Sequence, residues 1–262
     1  MLEHAGRVRA GAFDYDGTLT SGSQWRALGS LMSQRLQDED AANREWYWSQ
    51  NLEEDDSLGM DDPDWFHGSL DPGNQTVAEG AWIAETIHLY RQAGITREQV
   101  RQVASTLPPR EGALQLLGLF DPRVVISFGV EQLIQDWLHH QDMNSTPVAA
   151  SRLKFNGSDV ISGCHINLVV SGTKRVAAAK FRKKTGVRED ELMVLGDSIV
   201  DAEMMVPGGF NVLIIPPGEA DKKLAGFRNG NLVQMWDRLT AILFSDSLLP
   251  LVDLIKMSRA DT

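Results

Sequence analysis

The sequence is short of cysteine, of positive charge and of long apolar runs. Cys164 is the single cysteine, so no disulfide can form within the chain, and we expect a reducing, cytoplasmic setting. No apolar run approaches the roughly 18 residues of a membrane helix, and Met1–Ala10 lacks the apolar core of a signal peptide. Acidic residues number 36 against 25 basic ones, and the net charge of −11 argues against nucleic acid or an anionic membrane as a partner.

What the chain does contain is typical of a globular protein. Of its 262 residues, 42% are apolar and 23% are charged, which excludes a disordered or collagen-like chain. The length favours one large domain or two small ones.

Short apolar runs mark the expected strands. Each is of strand length and ends in polar residues, Gly or Pro, as buried parallel strands do. The runs are Val8–Phe13, Pro122–Ile126, Leu192–Leu195 and Asn211–Ile215. An alternating stretch around Asn156-Gly157 predicts a β-hairpin within Arg152–Val170.

Between these runs, apolar residues recur at the spacing of one helix face. This spacing predicts helices over Leu28–Leu36, Val130–Leu138 and Leu232–Ile242, and a capping box at Thr96–Gln99 predicts the start of another. The apolar segment Leu248–Ile255 is expected to dock on the core or on a second subunit. Alternating strands and helices predict an α/β fold with a parallel sheet.

About a hundred residues separate the first two strands, far more than a crossover needs. Their pattern is helical, which predicts a helical cap domain at residues 21–120 inserted into a core of residues 1–20 and 121–262. The insert carries Trp25, Trp46, Trp48, Trp65 and Trp82. These rings could stack on a substrate, although a small cap core is the more common use.

Two carboxylates follow the first strand, in the segment Asp14-Tyr15-Asp16-Gly17-Thr18. Ligands of open α/β sheets bind at such strand ends. One carboxylate can act as a nucleophile and the other as a general acid and base. A divalent cation would relieve their mutual repulsion. The alternative is an Asp-Gly turn that only ends the strand.

A second acidic pair, Asp197 and Asp201, follows the third run at helical spacing. Mg²⁺ prefers such carboxylate oxygens together with water. The alternative is that Asp197 caps a helix.

Ser127 and Gly129 lie between the second strand and a helix, where a hydroxyl and backbone N–H groups can bind an anion. Lys174 begins a run of basic residues, and one fixed ammonium group there could stabilise phosphoryl charge. The alternatives are an ordinary turn and a solvated helix face.

Together these motifs, in this order, resemble the haloacid dehalogenase-like superfamily, and the core is most similar to its phosphoserine-phosphatase-like branch. The resemblance covers residues 7–20 and 121–225, and Lys174 precedes Asp197 by 23 positions, as in that branch. Phe128 stands where a second glycine is usual. The family fold is a doubly wound, Rossmann-like parallel sheet with an inserted α-helical cap.

The resemblance implies a role for each residue. Asp14 would be the nucleophile that forms an aspartyl-phosphate, and Asp16 the general acid and base. Ser127 and the Gly129 N–H would hold the phosphoryl group, and Lys174 would steady both that group and Asp14.

The resemblance also implies a Mg²⁺ site. Its ligands would be Asp14, the backbone carbonyl of Asp16, and Asp197, with Asp201 as a ligand or in the water shell. A carboxylate at position 16 points to phosphate-ester hydrolysis, since a departing halide needs no proton.

The predicted function is therefore a Mg²⁺-dependent phosphatase that acts on a small phosphomonoester, as a monomer or homodimer. Ser23 stands where phosphoserine phosphatases carry a glutamate, so an amino-acid substrate is not evident. A phosphotransferase or mutase with the same intermediate, and a non-catalytic phosphate-binding module, are the alternatives.

Overall fold

The computed structural model of the chain describes residues 2–35, 83, 86–165, 169–221, 223–224 and 237–260. Much of the predicted insert therefore lies outside the described residues, including Trp46, Trp48, Trp65 and Trp82. The same holds for the first five residues of the helix predicted over Leu232–Ile242.

The strands form a parallel sheet and a separate hairpin. They are β1 (Ala10–Phe13), β2 (Arg123–Val130), β3 (Val148–Ser151), β4 (Leu153–Phe155), β5 (Ile161–Cys164), β6 (Leu192–Gly196), β7 (Phe210–Ile215) and β8 (Ala241–Phe244). The sheet order is β3-β2-β1-β6-β7-β8, and every pair in it is parallel. The antiparallel pair β4–β5 confirms the predicted hairpin. All four strands predicted from the apolar runs are confirmed.

The helices cover both faces of this sheet. They are α1 (Leu2–Arg7), α2 (Gln24–Arg35), α3 (Arg97–Thr106), α4 (Ala113–Gly118), α5 (Glu131–His140), α6 (Ser171–Thr185) and α7 (Leu249–Ala260). Short 3-10 turns span Glu189–Glu191, Ile199–Met204 and Pro217–Glu219. The capping box of Thr96 and Gln99 is present at the start of α3.

Successive strand residues enter two different hydrophobic clusters, because side chains alternate across a sheet. Phe13, Val125 and Leu195 join the cluster that contains α5 and α7, whereas Ala12 and Val194 join the cluster that contains α6. Helices therefore pack on both faces, and the α/β doubly wound fold is confirmed. The chain runs outward from β1 to β3 and returns at β6, so the crevice beside the carboxyl ends of β1 and β6 is where ligands bind in such sheets.

One expectation about the C-terminal region is wrong. Ile242, assigned to a helix by its spacing, lies in β8, which pairs with β7 at the edge of the sheet. A short apolar run cannot be assigned to helix or strand by periodicity alone, and pairing with β7 decides the matter. The segment Leu248–Ile255 docks on the core through α7, where Leu251, Val252 and Ile255 are buried.

The described part of the insert is helical. Trp25 is buried in the larger cluster and stacks on Tyr90 with ring centroids 6.4 Å apart. The segment containing α3 is joined to α5, since the indole Nε1–H of Trp137 donates to the carbonyl of Leu107 at 2.9 Å. The division into core and cap at residues 20 and 121 stays a prediction. Within the described ranges, no helix has the length and apolarity to cross a bilayer.

Candidate active site

The turn after β1 places the first two acidic residues at the centre of the sheet. The Asp14 N–H donates to the carbonyl of Leu195 at 2.9 Å, which continues the pairing with β6. The chain then reverses at Gly17, whose φ of 69° lies in the left-handed region that favours glycine. A Cβ on Gly17 would also lie 2.3 Å from Oδ2 of Asp197, so this glycine allows the turn to approach the second acidic segment.

Three carboxylates meet at this point. Asp14, Asp197 and Asp201 each offer an oxygen, and these oxygens lie within 4.8 Å of one another. Asp14 directly follows β1. Asp197 directly follows β6, and Asp201 lies in the 3-10 turn Ile199–Met204. Gly196 is necessary here, because a Cβ on it would lie 2.2 Å from the Cβ of Asp201. Adjacent parallel strands thus bring together acids that are distant in the sequence.

Lys174 supplies a buried cation between two of these acids. Its Nζ donates to Oδ1 of Asp14 at 2.7 Å and to Oδ1 of Asp201 at 2.6 Å. The three side chains are 2%, 7% and 0% exposed respectively. Burial opposes the charge of Lys174, but the two carboxylates outweigh it and raise the pKa of Lys174. The ammonium group is therefore charged.

Asp201 is held on both of its oxygens. Its Oδ2 accepts from the Asp197 N–H at 3.1 Å and from the N–H and Oγ–H of Ser198, each at 3.0 Å. With Oδ1 on Lys174, the carboxylate orients both the ammonium group and the loop after β6. Both oxygens of Asp201 therefore accept hydrogen bonds, and its position relative to a metal ion stays a prediction.

Asp197 is more open than its two neighbours, with 19% of its side chain exposed. Its Oδ2 and its carbonyl oxygen accept from Nζ of Lys223 at 3.1 and 3.0 Å. Its Oδ1 accepts a long hydrogen bond from Thr18 Oγ at 3.5 Å. An open carboxylate beside a buried one suits a site that must admit a hydrated ion.

The acids are electrostatically crowded. Burial and the charge of Asp201 raise the pKa of Asp14, and Lys174 opposes them. Burial likewise raises the pKa of Asp197, and Lys223 opposes it. A bound divalent cation would offset this crowding. Hard carboxylate oxygens converging beside an open side fit Mg²⁺, which keeps several waters.

Asp16 lies in a different environment, although it is only two residues from Asp14. Its Oδ1 accepts from the backbone N–H of Gln24 and its Oδ2 from the Gln24 Nε2–H, both at 2.7 Å. Burial raises the pKa of Asp16 to about 6, against the opposing effect of these two hydrogen bonds. Two nearby carboxylates with different partners suit different chemical roles.

Ser127 and Gly129 lie together where β2 leads into α5. Ser127 is buried, and its Oγ accepts from the Gly129 N–H at 3.0 Å. Because the Oγ is the acceptor in this hydrogen bond, the hydroxyl keeps its own hydrogen for donation to an anion. No direct hydrogen bond joins this turn to the acids in the described residues. Gln24 links them instead, since its Oε1 accepts from the Val130 N–H at 2.7 Å.

Sequence reasoning missed three residues that support the site. Gln24 holds Asp16, and Lys223 holds Asp197. Arg110 is buried and donates to the carbonyl oxygens of Gly17, Thr18 and Asp246. These hydrogen bonds hold the turn after β1 in place. Arg110 and Lys223 act across long sequence separations, and no local pattern marks them. Gln24 offered one signal, its position shortly after the acidic turn.

Comparison with known proteins identifies the family of the chain. The family model of haloacid dehalogenase-like hydrolases matches residues 8–209. No curated protein matches the chain in sequence.

Several solved structures share the fold. A phosphoserine phosphatase with a phospho-aspartyl intermediate analogue superposes with a TM-score of 0.63 at 13% identity, covering 94% of this chain and 98% of that one. A phosphoserine phosphohydrolase-like protein from Francisella tularensis gives 0.58 at 15% identity, covering 95% and 100%. Cytosolic 5'-nucleotidase IIIB bound to cytidine gives 0.59 at 15% identity, covering 98% and 87%.

Proposed function

The chain belongs to the haloacid dehalogenase-like hydrolase family, and from this we propose that it is a Mg²⁺-dependent phosphatase of small phosphomonoesters. The observation that carries the proposal is the contrast between its two neighbouring carboxylates. Asp14 faces an ammonium group, whereas Asp16 faces two neutral amide donors and has a pKa of about 6. The first arrangement suits a nucleophile and the second a proton donor.

In the first step an Asp14 oxygen attacks phosphorus, and the bond from phosphorus to the ester oxygen breaks. Asp16 gives its proton to the departing alkoxide, so the alcohol leaves neutral. Lys174, fixed by Asp201, neutralises charge on Asp14 and on the transferring group. The Ser127 hydroxyl and the turn at Gly129 would hold the phosphoryl oxygens.

In the second step water attacks the aspartyl-phosphate. Asp16, now ionised, takes a proton from that water, and the bond from Asp14 to phosphorus breaks. Inorganic phosphate leaves, and both carboxyl groups return to their starting states. The same side chain acts first as acid and then as base, which a pKa near neutrality permits.

The carboxylates of Asp14 and Asp197 and the backbone carbonyl of Asp16 would hold Mg²⁺, with Asp201 behind them. When bound, the ion supplies positive charge that orients and neutralises the phosphoryl group. The family and the convergent carboxylates support this assignment.

The likeness to a phosphoserine phosphatase and a 5'-nucleotidase supports a small phosphorylated metabolite as the substrate. We place the protein in the cytoplasm, as a monomer or homodimer. Residues 21–120 would form the cap, and α2 would carry its first turns directly beside Asp16.

The test is phosphate release from a panel of phosphomonoesters, with Mg²⁺ and with EDTA. We expect release by the wild type only with Mg²⁺, and a loss of about 10⁴-fold or more in Asp14→Asn. Asp253→Asn, at an exposed aspartate of α7, is the matched control and should retain full activity.

Two outcomes would contradict the proposal. A folded wild type that releases no phosphate from any ester would remove the phosphatase assignment. An isomerised ester without free phosphate would indicate a mutase instead.

A further inference from the structure

One buried glutamine connects two parts of the site between which the described residues show no direct hydrogen bond. Gln24 is the first residue of α2 and is 0% exposed. Its backbone N–H and its Nε2–H donate to the two different oxygens of Asp16, and its Oε1 accepts from the Val130 N–H. Each of these three hydrogen bonds is 2.7 Å long. The amide thus joins the turn after β1 to the turn after β2.

Gly129 makes this connection possible. A Cβ built on Gly129 would lie 1.8 Å from Nε2 of Gln24 and within 2.6 Å of Cδ and Oε1. Gly129 is not among the glycines with positive φ, so its backbone conformation does not require glycine. Its missing side chain is the space that the glutamine amide occupies.

We infer that Gln24 is a positioning residue for Asp16, which it aligns with the phosphate-holding turn at Ser127 and Gly129. The inference rests on the proposed function, in which Asp16 is the proton donor and acceptor. One donor on each oxygen fixes the plane of the carboxylate, and the bond to Val130 fixes that plane relative to the turn.

Alignment matters here because a proton is transferred only over hydrogen-bond distance, and a displacement near 1 Å can cost on the order of 10²-fold in rate.

The experiment compares two esters that differ in their need for a proton donor. An alkyl phosphate expels a basic alkoxide and needs a proton, whereas 2,4-dinitrophenyl phosphate expels a stable anion and does not. The value of kcat/KM reports the first step, in which Asp14 is phosphorylated. For Gln24→Ala we expect about a 10²-fold loss with the alkyl ester and less than about 3-fold with the dinitrophenyl ester.

A second variant tests the contact from its other side. Gly129→Ala should displace the Gln24 amide and produce the same selective loss. In Gln24→Ala the space is free, so adding Gly129→Ala should change little, and the two effects should not multiply. Gln135→Ala, at an exposed glutamine of α5, is the matched control and should match the wild type. If Gln24→Ala does not fold, Gln24→Met fills a similar volume without the amide donor and acceptor and should show the same selectivity.

The inference would be overturned if Gln24→Ala lost kcat/KM equally with both esters, or if the losses of the two single variants multiplied in the double variant. Either result would leave the phosphatase assignment intact. A wild type that hydrolyses neither ester would instead overturn the proposed function, and the inference with it.

Discussion

Replacing Lys174 with methionine tests whether the buried ammonium group holds the acidic cluster together. Methionine has a similar length and flexibility, so the change removes the charge with little loss of volume. It leaves Asp14 and Asp201 buried beside each other without the cation that both contact at 2.6–2.7 Å.

The expected cost follows from this burial. Breaking a buried ion pair by removing one partner costs about 3–5 kcal/mol. Here the two carboxylates can share one proton after the change, which favours the lower end of that range. We therefore expect a loss of about 3 kcal/mol near neutral pH, equivalent to a fall in Tm of roughly 6–12 °C for a chain of this size.

The assay is urea unfolding and thermal unfolding in EDTA, so that bound metal does not contribute. Lys180→Met, at an exposed lysine of the same helix α6, is the control and should cost less than about 0.5 kcal/mol.

The loss in Lys174→Met should also shrink in acid. Burial and the charge of Asp201 already raise the pKa of Asp14 in the folded protein, and without the opposing charge of Lys174 that pKa rises further above its unfolded value. A raised pKa means that stability is fully present below the unfolded pKa and is lost as pH rises through the folded pKa. The reasoning is refuted if Lys174→Met equals its control in stability, or if the gap between wild type and variant stays constant from pH 7 to pH 4.

Two further predictions concern the turn after β1. The ratio of kcat/KM for an alkyl phosphate to that for 2,4-dinitrophenyl phosphate should fall as pH rises above about 6, because only the alkyl ester needs a protonated Asp16. Parallel pH profiles for the two esters would contradict this prediction. Tyr15→Phe should leave stability unchanged or raise it by about 1 kcal/mol in urea unfolding, because the buried Tyr15 hydroxyl finds no hydrogen-bond partner among the described residues; a loss above 1 kcal/mol would show that the hydroxyl has a partner.

The strands were predictable because their apolar runs are buried on both faces. The runs that became β1, β2, β6 and β7 are apolar at nearly every position, with Arg9, Arg123 and Asn211 as the exceptions, as is typical of strands covered on both faces. β8 was not predictable, since its four residues become a strand only by pairing with β7. A short run at the edge of a sheet carries too little periodicity to identify itself.

The site residues that follow a predicted strand could be recognised from the sequence. Asp14, Asp197 and Ser127 each follow an apolar run, and a parallel sheet brings such ends to one edge. The supporting residues could not be recognised, because the contact between Gln24 and Val130 spans 106 positions and that between Lys223 and Asp197 spans 26. Side-chain hydrogen bonds of this kind leave no repeat or spacing in the sequence.

The position of β1 has a consequence for how the protein folds. This strand lies between β2 and β6, and both neighbours come from distant parts of the chain. Closing such long loops costs entropy before any pairing repays it, so folding through this centre is intrinsically slow. Asp14 and Lys174, 160 positions apart, meet only once that sheet has closed. A partly folded chain therefore lacks the ion pair between Asp14 and Lys174, and this contact forms only with the completed sheet.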